Sequence, residues 1–336
     1  MKSKTYRKLF LCILITMILV APSFASDEEA GQIILNNYTA QDKLAQPRQT
    51  AIRAFESNVT DEEVPQDVKE IVSAYNSLTI RALNIDGIHI LDLYKDDGSK
   101  KPLVIYLHGG GESKVNFYTV LADQQKKLCG KVAFNEYAKA GFRVVTMDAP
   151  GNGDDDTGPR NYLEVIAEGV HYIDKIIEYF NTIEDVDATR FALQGNSIGA
   201  NTTFAYVVHG SYKPAAIIAD CGVADFTKVA EGPLYDCMDK TGMGKMNIMT
   251  RQQIRNFAKL YSPSQWPEKF EDIYILAGCG LNDALHPAKS MKDFEANLKQ
   301  LGFKNIKFVY EKNHGHWPTD YIIKNSTSVL KKNLLQ

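Results

Sequence analysis

An α/β architecture on a mostly parallel sheet is what this sequence predicts, and three observations predict it. From Leu103 onward, short apolar runs alternate with amphipathic stretches of helical period. The apolar runs are near-continuous, as in Leu103-Val104-Ile105-Tyr106-Leu107, which suits strands buried on both faces. Reactive side chains fall just past the ends of several runs, and a parallel sheet gathers such positions on one edge.

The chain opens differently. Lys2, Lys4, Arg7 and Lys8 precede an apolar run from Leu9 to Val20, followed by Ala21-Pro22-Ser23-Phe24-Ala25. That is a secretory signal peptide over residues 1–25, with cleavage expected after Ala25 and a secreted or periplasmic product. The run is shorter than the roughly 20 residues a membrane span needs. A lipoprotein reading fails on Cys12, because bulky Leu11 precedes it inside the apolar run. Residues 26–78 form a polar extension in which Ile52, Phe55 and Val59, then Val68, Ile71, Val72 and Tyr75, recur at helical spacing. Two or three short helices are expected there, packed outside the main domain or extending its cleft.

The main domain spans 79–336. Thr79–Leu83 and Ile88–Tyr94 flank Asp86-Gly87 and predict a hairpin. Asp97-Gly98 turns the chain into the strand Leu103–Leu107. A helix over 127–140, a strand over 142–147 and a long helix over 162–180 follow, the last with Ile166, Val170, Ile173, Ile177 and Phe180 on one stripe. Then come a strand over 189–194, a helix over 200–208 and a strand over 215–219. Residues 226–262, rich in Met, Gly and Lys, suggest a small cap-like insertion. A strand over 273–277, a helix over 288–301, a strand over 306–310 and a helix over 320–334 complete the pattern. No internal repeat or disordered linker interrupts it.

The 336 residues are 44% hydrophobic and 24% charged, an ordinary globular balance. Removing the four basic residues of the leader leaves 34 basic against 41 acidic side chains, a net charge of about −7. Nothing in that balance favours nucleic acid or an anionic membrane as partner. Cys129, Cys221, Cys237 and Cys279 permit up to two disulfides in an oxidising compartment. Cys221 and Cys237 flank a loop-like region and are the favoured pair; buried thiols are the alternative. The cysteines lack zinc-ribbon spacing, and no His-Glu-x-x-His occurs. Gly242-Met243-Gly244-Lys245 lacks the spacing of a phosphate loop. Asn37, Asn58, Asn201 and Asn325 head glycosylation sequons, but Asn201 falls in an expected helix and would be a poor acceptor.

The chemistry centres on Gly195-Asn196-Ser197-Ile198-Gly199, which closes a strand and opens a helix. A serine on such a turn projects clear of both elements, and flanking glycines let them pass closely. A serine hydroxyl needs a base within hydrogen-bond reach and a third group to orient that base. Asp283 and His316, just past the last two strands, supply them. Asp220 and Asp225 are rival acids, His314 is a rival base, and Ser197 could instead be a structural turn serine. Donors for a tetrahedral oxyanion are expected from the backbone of Ile198 and of Gly109 and Gly110, in His108-Gly109-Gly110-Gly111. His108 is expected to brace that loop. His89, His171, His209 and His286 are expected at the surface or in packing. Asp154-Asp155-Asp156 suits a solvated acidic loop better than a site for a cation. Trp317 could wall the substrate pocket or simply pack. No metal and no organic cofactor is called for.

Together the glycine loop, the G-x-S-x-G elbow and the chain order serine, acid, histidine resemble the α/β-hydrolase superfamily over about Thr79 to Leu335. Tyr261-Ser262-Pro263, Gly280-x-x-Asp283 followed by His286-Pro287, and Gly315-His316 are most similar to the dienelactone hydrolase and prolyl oligopeptidase-like group. The resemblance implies the α/β-hydrolase fold, with Ser197 as nucleophile, His316 as general base and acid, and Asp283 as orienting carboxylate. It implies hydrolysis of a small-molecule carboxylic ester through an acyl-enzyme, without cofactor. Short peptides are the alternative substrate. Ala200 stands where the peptidases usually carry a further glycine, and about fifty N-terminal residues are too few for their propeller. A catalytically silent binding module is the remaining reading.

Overall fold

The computed structural model describes residues 48–49, 51–73, 77–115, 129–155, 162–231 and 251–335. The expected signal segment, residues 232–250 of the expected cap, Cys237 and Asp156 lie outside the described residues.

The N-terminal extension departs from expectation. Residues 51–58 are irregular, and Val59–Glu62 is a strand (β1) rather than the end of a helix. It pairs antiparallel with the next strand, Val59 opposite Ile85, while Asn58 N–H donates to the Asp86 carboxylate at 3.0 Å. An open sheet edge offers these residues backbone partners that an isolated short helix lacks. The second expected helix forms as α1 (Gln66–Ser73), burying Val68 and Val72.

Asp86 and Gly87, at φ 53° and 88°, turn β2 (Leu78–Ile85) into β3 (Ile88–Lys95). Both central residues at positive φ match the right-handed twist of the paired strands. The remaining elements follow the expected alternation: β4 (Lys101–Leu107), α2 (Cys129–Lys139), β5 (Arg143–Met147), α3 (Tyr162–Phe180), β6 (Val186–Asn196) and α4 (Ile198–His209). Then come β7 (Ala216–Asp220), α5 (Thr227–Glu231), α6 (Arg251–Tyr261), β8 (Tyr274–Gly280), α7 (Lys289–Gln300), β9 (Ile306–Glu311) and α8 (Asp320–Leu334). Helices α5 and α6 bound the expected cap and pack on one another.

One nine-stranded sheet results, in the order β1-β2-β3-β5-β4-β6-β7-β8-β9. Strands β1, β2, β3 and β5 pair antiparallel; β5, β4 and β6 to β9 run parallel. Alternate residues of the central strands enter two separate cores. Leu103, Ile105 and Leu107 pack with α3, α4 and α7, while Val104 and Tyr106 pack with α1, α2 and α8. A strand with an apolar core on each face has no polar side, which explains the unbroken apolar runs. Where antiparallel pairing gives way to parallel, buried Arg143 grips Asp92 through two bonds of 2.5 and 2.6 Å and lies 3.5 Å from the centre of the Tyr94 ring. This bidentate pair ties β5 to β3, where the sheet changes direction. No helix among the described residues is long and apolar enough to cross a membrane.

Candidate active site

Parallel pairing brings the C-terminal ends of β4, β6, β7, β8 and β9 to one edge. Ser197 sits between β6 and α4 at φ 55° and ψ −117°, a conformation that costs on the order of 1–3 kcal/mol. Its N–H donates to Asp220 O at 2.9 Å, and Asn201 N–H donates to its carbonyl at 3.1 Å. The two flanking glycines are required by space. A Cβ on Gly195 would lie 2.2 Å from Gly199 O, and one on Gly199 would lie 2.2 Å from Leu107 O. The second approach sets the glycine-rich loop after β4 beside the first turn of α4.

Ser197 Oγ donates to His316 Nε2 at 2.7 Å, and His316 Nδ1–H donates to Asp283 Oδ2 at 2.7 Å. The other oxygen, Asp283 Oδ1, accepts the N–H groups of Leu285 and His286 at 2.9 Å each. Burial alone would raise the Asp283 pKa. The bond and charge of His316, with the His286 N–H, outweigh it and hold the carboxyl below its ordinary value. The acid and base loops are strapped together, since Leu281 N–H donates to Glu311 O and Asn282 N–H to His314 O, both at 2.9 Å. With a hydroxyl, an imidazole and a carboxylate in line, the edge can move a proton from Ser197 to His316.

The rival residues are occupied elsewhere. His314 Nε2 faces the carbonyls of Trp317 and Pro318 at 3.0 Å. Asp220 accepts Thr319 N–H at 2.7 Å and so caps α8; burial pushes its pKa up to about 7. Asp225 accepts the N–H and hydroxyl of Thr227 at the start of α5.

On the other side of the edge, Ala149 N–H donates to His108 Nε2 at 2.9 Å, so the ring proton is on Nδ1, directed at Gly109 O at 2.7 Å. Burial lowers the His108 pKa and keeps the ring neutral. Gly109 N–H donates to Glu112 Oε2 at 2.8 Å, and Glu112 N–H returns to Gly109 O at 3.3 Å. Gly110 is exposed with open space around it, and Ile198 is buried at the head of α4. Its N–H belongs to the first turn, which has no intrahelical acceptor. Buried Lys114 then clips the loop to the one after β5: its N–H and Nζ reach Asp148 at 2.7 Å each, and its Nζ also reaches Asp154. Asp155 is buried and accepts the Tyr172 hydroxyl at 2.7 Å. The acidic loop is thus partly internal bracing rather than wholly solvated, because each of these two carboxylates has a protein donor. A small apolar recess, lined by Leu107, Met147, Val165, Ile198 and Thr202, lies beside the loop.

Cys221, at φ 55°, is a buried thiol whose Sγ donates to Trp317 O at 2.8 Å; Cys237, its expected partner, lies outside the described residues. Cys279 is a second buried thiol. Trp317 is 59% exposed. His171 is exposed, His89 pairs with Glu62 and His209 donates to Leu260 O. His286 differs from all three: it is buried beside His316, with ring centroids 4.9 Å apart. Only the spacing Asp283-x-x-His286 hinted at that position.

A family model described as the alpha/beta hydrolase fold matches residues 102–327. A 2-hydroxy-6-oxononadienedioate/2-hydroxy-6-oxononatrienedioate hydrolase of Escherichia coli is 23% identical over 242 residues, covering 66% of this chain and 72% of that protein. Among solved structures, an acetyl xylan esterase from Paenibacillus sp. R4 superposes with a TM-score of 0.59 at 14% identity, covering 93% of this chain and 97% of that one. A puromycin-hydrolyzing peptidase of Mycobacterium tuberculosis gives a TM-score of 0.60 at 16% identity, over 76% of this chain and 39% of that one. At these identities the likeness is one of fold.

Proposed function

The chain belongs to the α/β-hydrolase fold family, and on that premise we propose that it is an exported serine hydrolase cleaving small carboxylic esters. The observation that carries this reading is the pair of 2.7 Å bonds joining Ser197, His316 and Asp283 on a strained turn. Ser197 Oγ attacks the ester carbonyl carbon while His316 Nε2 takes its proton. Asp283 holds the imidazole in the tautomer this requires and stabilises the imidazolium that forms. The N–H groups of Ile198 and Gly110 receive the oxyanion, joined by Gly109 once Glu112 withdraws. Collapse expels the alcohol, which takes the proton from His316, and leaves an acyl group on Ser197. Water, deprotonated by His316, attacks that acyl carbon; collapse breaks the acyl–Oγ bond, His316 returns the proton to Ser197 Oγ, and the acid is released. Ala200 favours esters over peptides: it is buried beside Gly222, so this part of the elbow carries a methyl where the peptidase-like pattern has none.

A fluorophosphonate probe tests the nucleophile. Wild-type protein is expected to label and Ser197→Ala is not; labelling of the variant would overturn the assignment. Turnover of short-chain p-nitrophenyl esters, but not of proline-containing peptide amides, is expected. The reverse preference would move the substrate class to peptides.

A further inference from the structure

We propose that His286, held by Cys221 and Tyr162, is a positioning residue that keeps the Asp283–His316 pair aligned with Ser197; this rests on the serine-hydrolase reading above. The hydrogen bonds around it allow one arrangement. Val223 N–H donates to Asn201 Oδ1 at 2.8 Å, and Asn201 Nδ2 donates to the Tyr162 hydroxyl. That hydroxyl donates to His286 Nε2 at 3.0 Å, and His286 Nδ1–H donates to Cys221 O at 2.5 Å. Every donor in the chain meets an acceptor, so the tautomer of His286 is set by its neighbours.

The network joins four segments that carry the active site. Asn201 lies one turn after Ser197 on α4, Tyr162 opens α3, Cys221 and Val223 follow β7, and His286 follows the acid on the β8 loop. From this anchorage His286 acts on the pair twice. Its backbone N–H donates to Asp283 Oδ1 at 2.9 Å, and its ring meets the His316 ring edge-to-face at 85°. The titratable groups facing it are Asp283 and His316 from the acid and base loops and Tyr162 from α3, while the Cys221 thiol is directed to Trp317 O. Burial, and then the charge of His316, push the His286 pKa down to about 4, and burial raises that of Tyr162. The phenol therefore keeps the proton it donates, and no second cation competes with the imidazolium of His316.

The test compares Tyr162→Phe, His286→Leu and His286→Gln in the full protein. Glutamine carries one donor and one acceptor spaced like the two ring nitrogens, so it can serve both Cys221 O and Tyr162; leucine serves neither. With a p-nitrophenyl ester, Tyr162→Phe and His286→Leu are expected to lower kcat about 10- to 100-fold with KM within about twofold. His286→Gln is expected to restore most of kcat. Independently of turnover, the far-downfield proton resonance of His316 Nδ1–H is expected in wild type and His286→Gln, and broadened or lost in the other two. Unchanged kcat and resonance in Tyr162→Phe and His286→Leu would overturn the proposal, even with a lowered Tm. If wild type neither labels nor hydrolyses esters, the serine-hydrolase reading fails, and the resonance alone decides whether His286 positions the pair.

Discussion

On the β8–β9 side of the candidate active-site edge, Asp283, His316 and Ser197 are already joined by two 2.7 Å bonds, and the spare Asp283 oxygen has two backbone donors. On the β4–β5 side, Gly109 has its N–H committed to Glu112. The first side is complete in the resting protein, and the second is braced but partly occupied. Activating the serine calls for a fixed line of atoms that ground-state hydrogen bonds can hold. Stabilising an oxyanion, as proposed for the second side, calls for donors aimed at a charge that does not yet exist, and in the resting protein Glu112 holds the Gly109 N–H.

The largest expected effect breaks the preassembled side. Ser197→Ala or His316→Ala should lower ester kcat on the order of 10⁶-fold, with His314→Ala near wild type. A dead His314→Ala beside an active His316→Ala would reassign the base. Next, Asp283→Asn should cost about 10⁴-fold in kcat with the fold intact, because an amide favours the wrong imidazole tautomer; a loss under tenfold would argue that His316 is oriented by other groups. Glu112→Ala probes the opposite side and should raise kcat/KM a few-fold by freeing the Gly109 donor and removing a charge near the oxyanion. A tenfold fall instead would show that the Glu112–Gly109 bond shapes the loop more than it obstructs it.

The smallest expected effect is on stability. Asp220 has a folded-state pKa near 7, above the roughly 3.9 of an unfolded chain, because burial disfavours its charge. Its contribution is full below the unfolded value and is lost as pH rises through 7. Asp220→Asn keeps an acceptor for Thr319 N–H but cannot ionise, so its thermal stability should decline less between pH 5 and pH 8 than that of wild type. Parallel melting curves for the two proteins would remove this reading of Asp220.

Most elements of the hydrolase domain are legible because the central strands β4, β7 and β8 are buried on both faces and α3 carries one apolar stripe. Helix α3 occupies 162–180 as the Ile166 to Phe180 stripe requires, and Asp86-Gly87 turns the hairpin. The extension was misread at Val59, where Val59–Glu62 has too few residues for periodicity to separate strand from helix. There the deciding partner, the edge of β2, is distant in sequence.

Chemistry and spacing in the sequence determined which side chains could serve as serine, acid and base, since only residues just past strand ends reach a common edge. They also determined that the elbow would have glycines on both sides. Tertiary structure alone decided that Asp220 would cap α8 while Asp283 faces His316, because both aspartates lie at or just past strand ends and differ in what packs against them. It alone committed Gly109 to Glu112 and placed His286 against His316. These are choices among hydrogen-bond partners drawn from separate segments, and a linear pattern holds no record of them until the sheet brings its strand ends together.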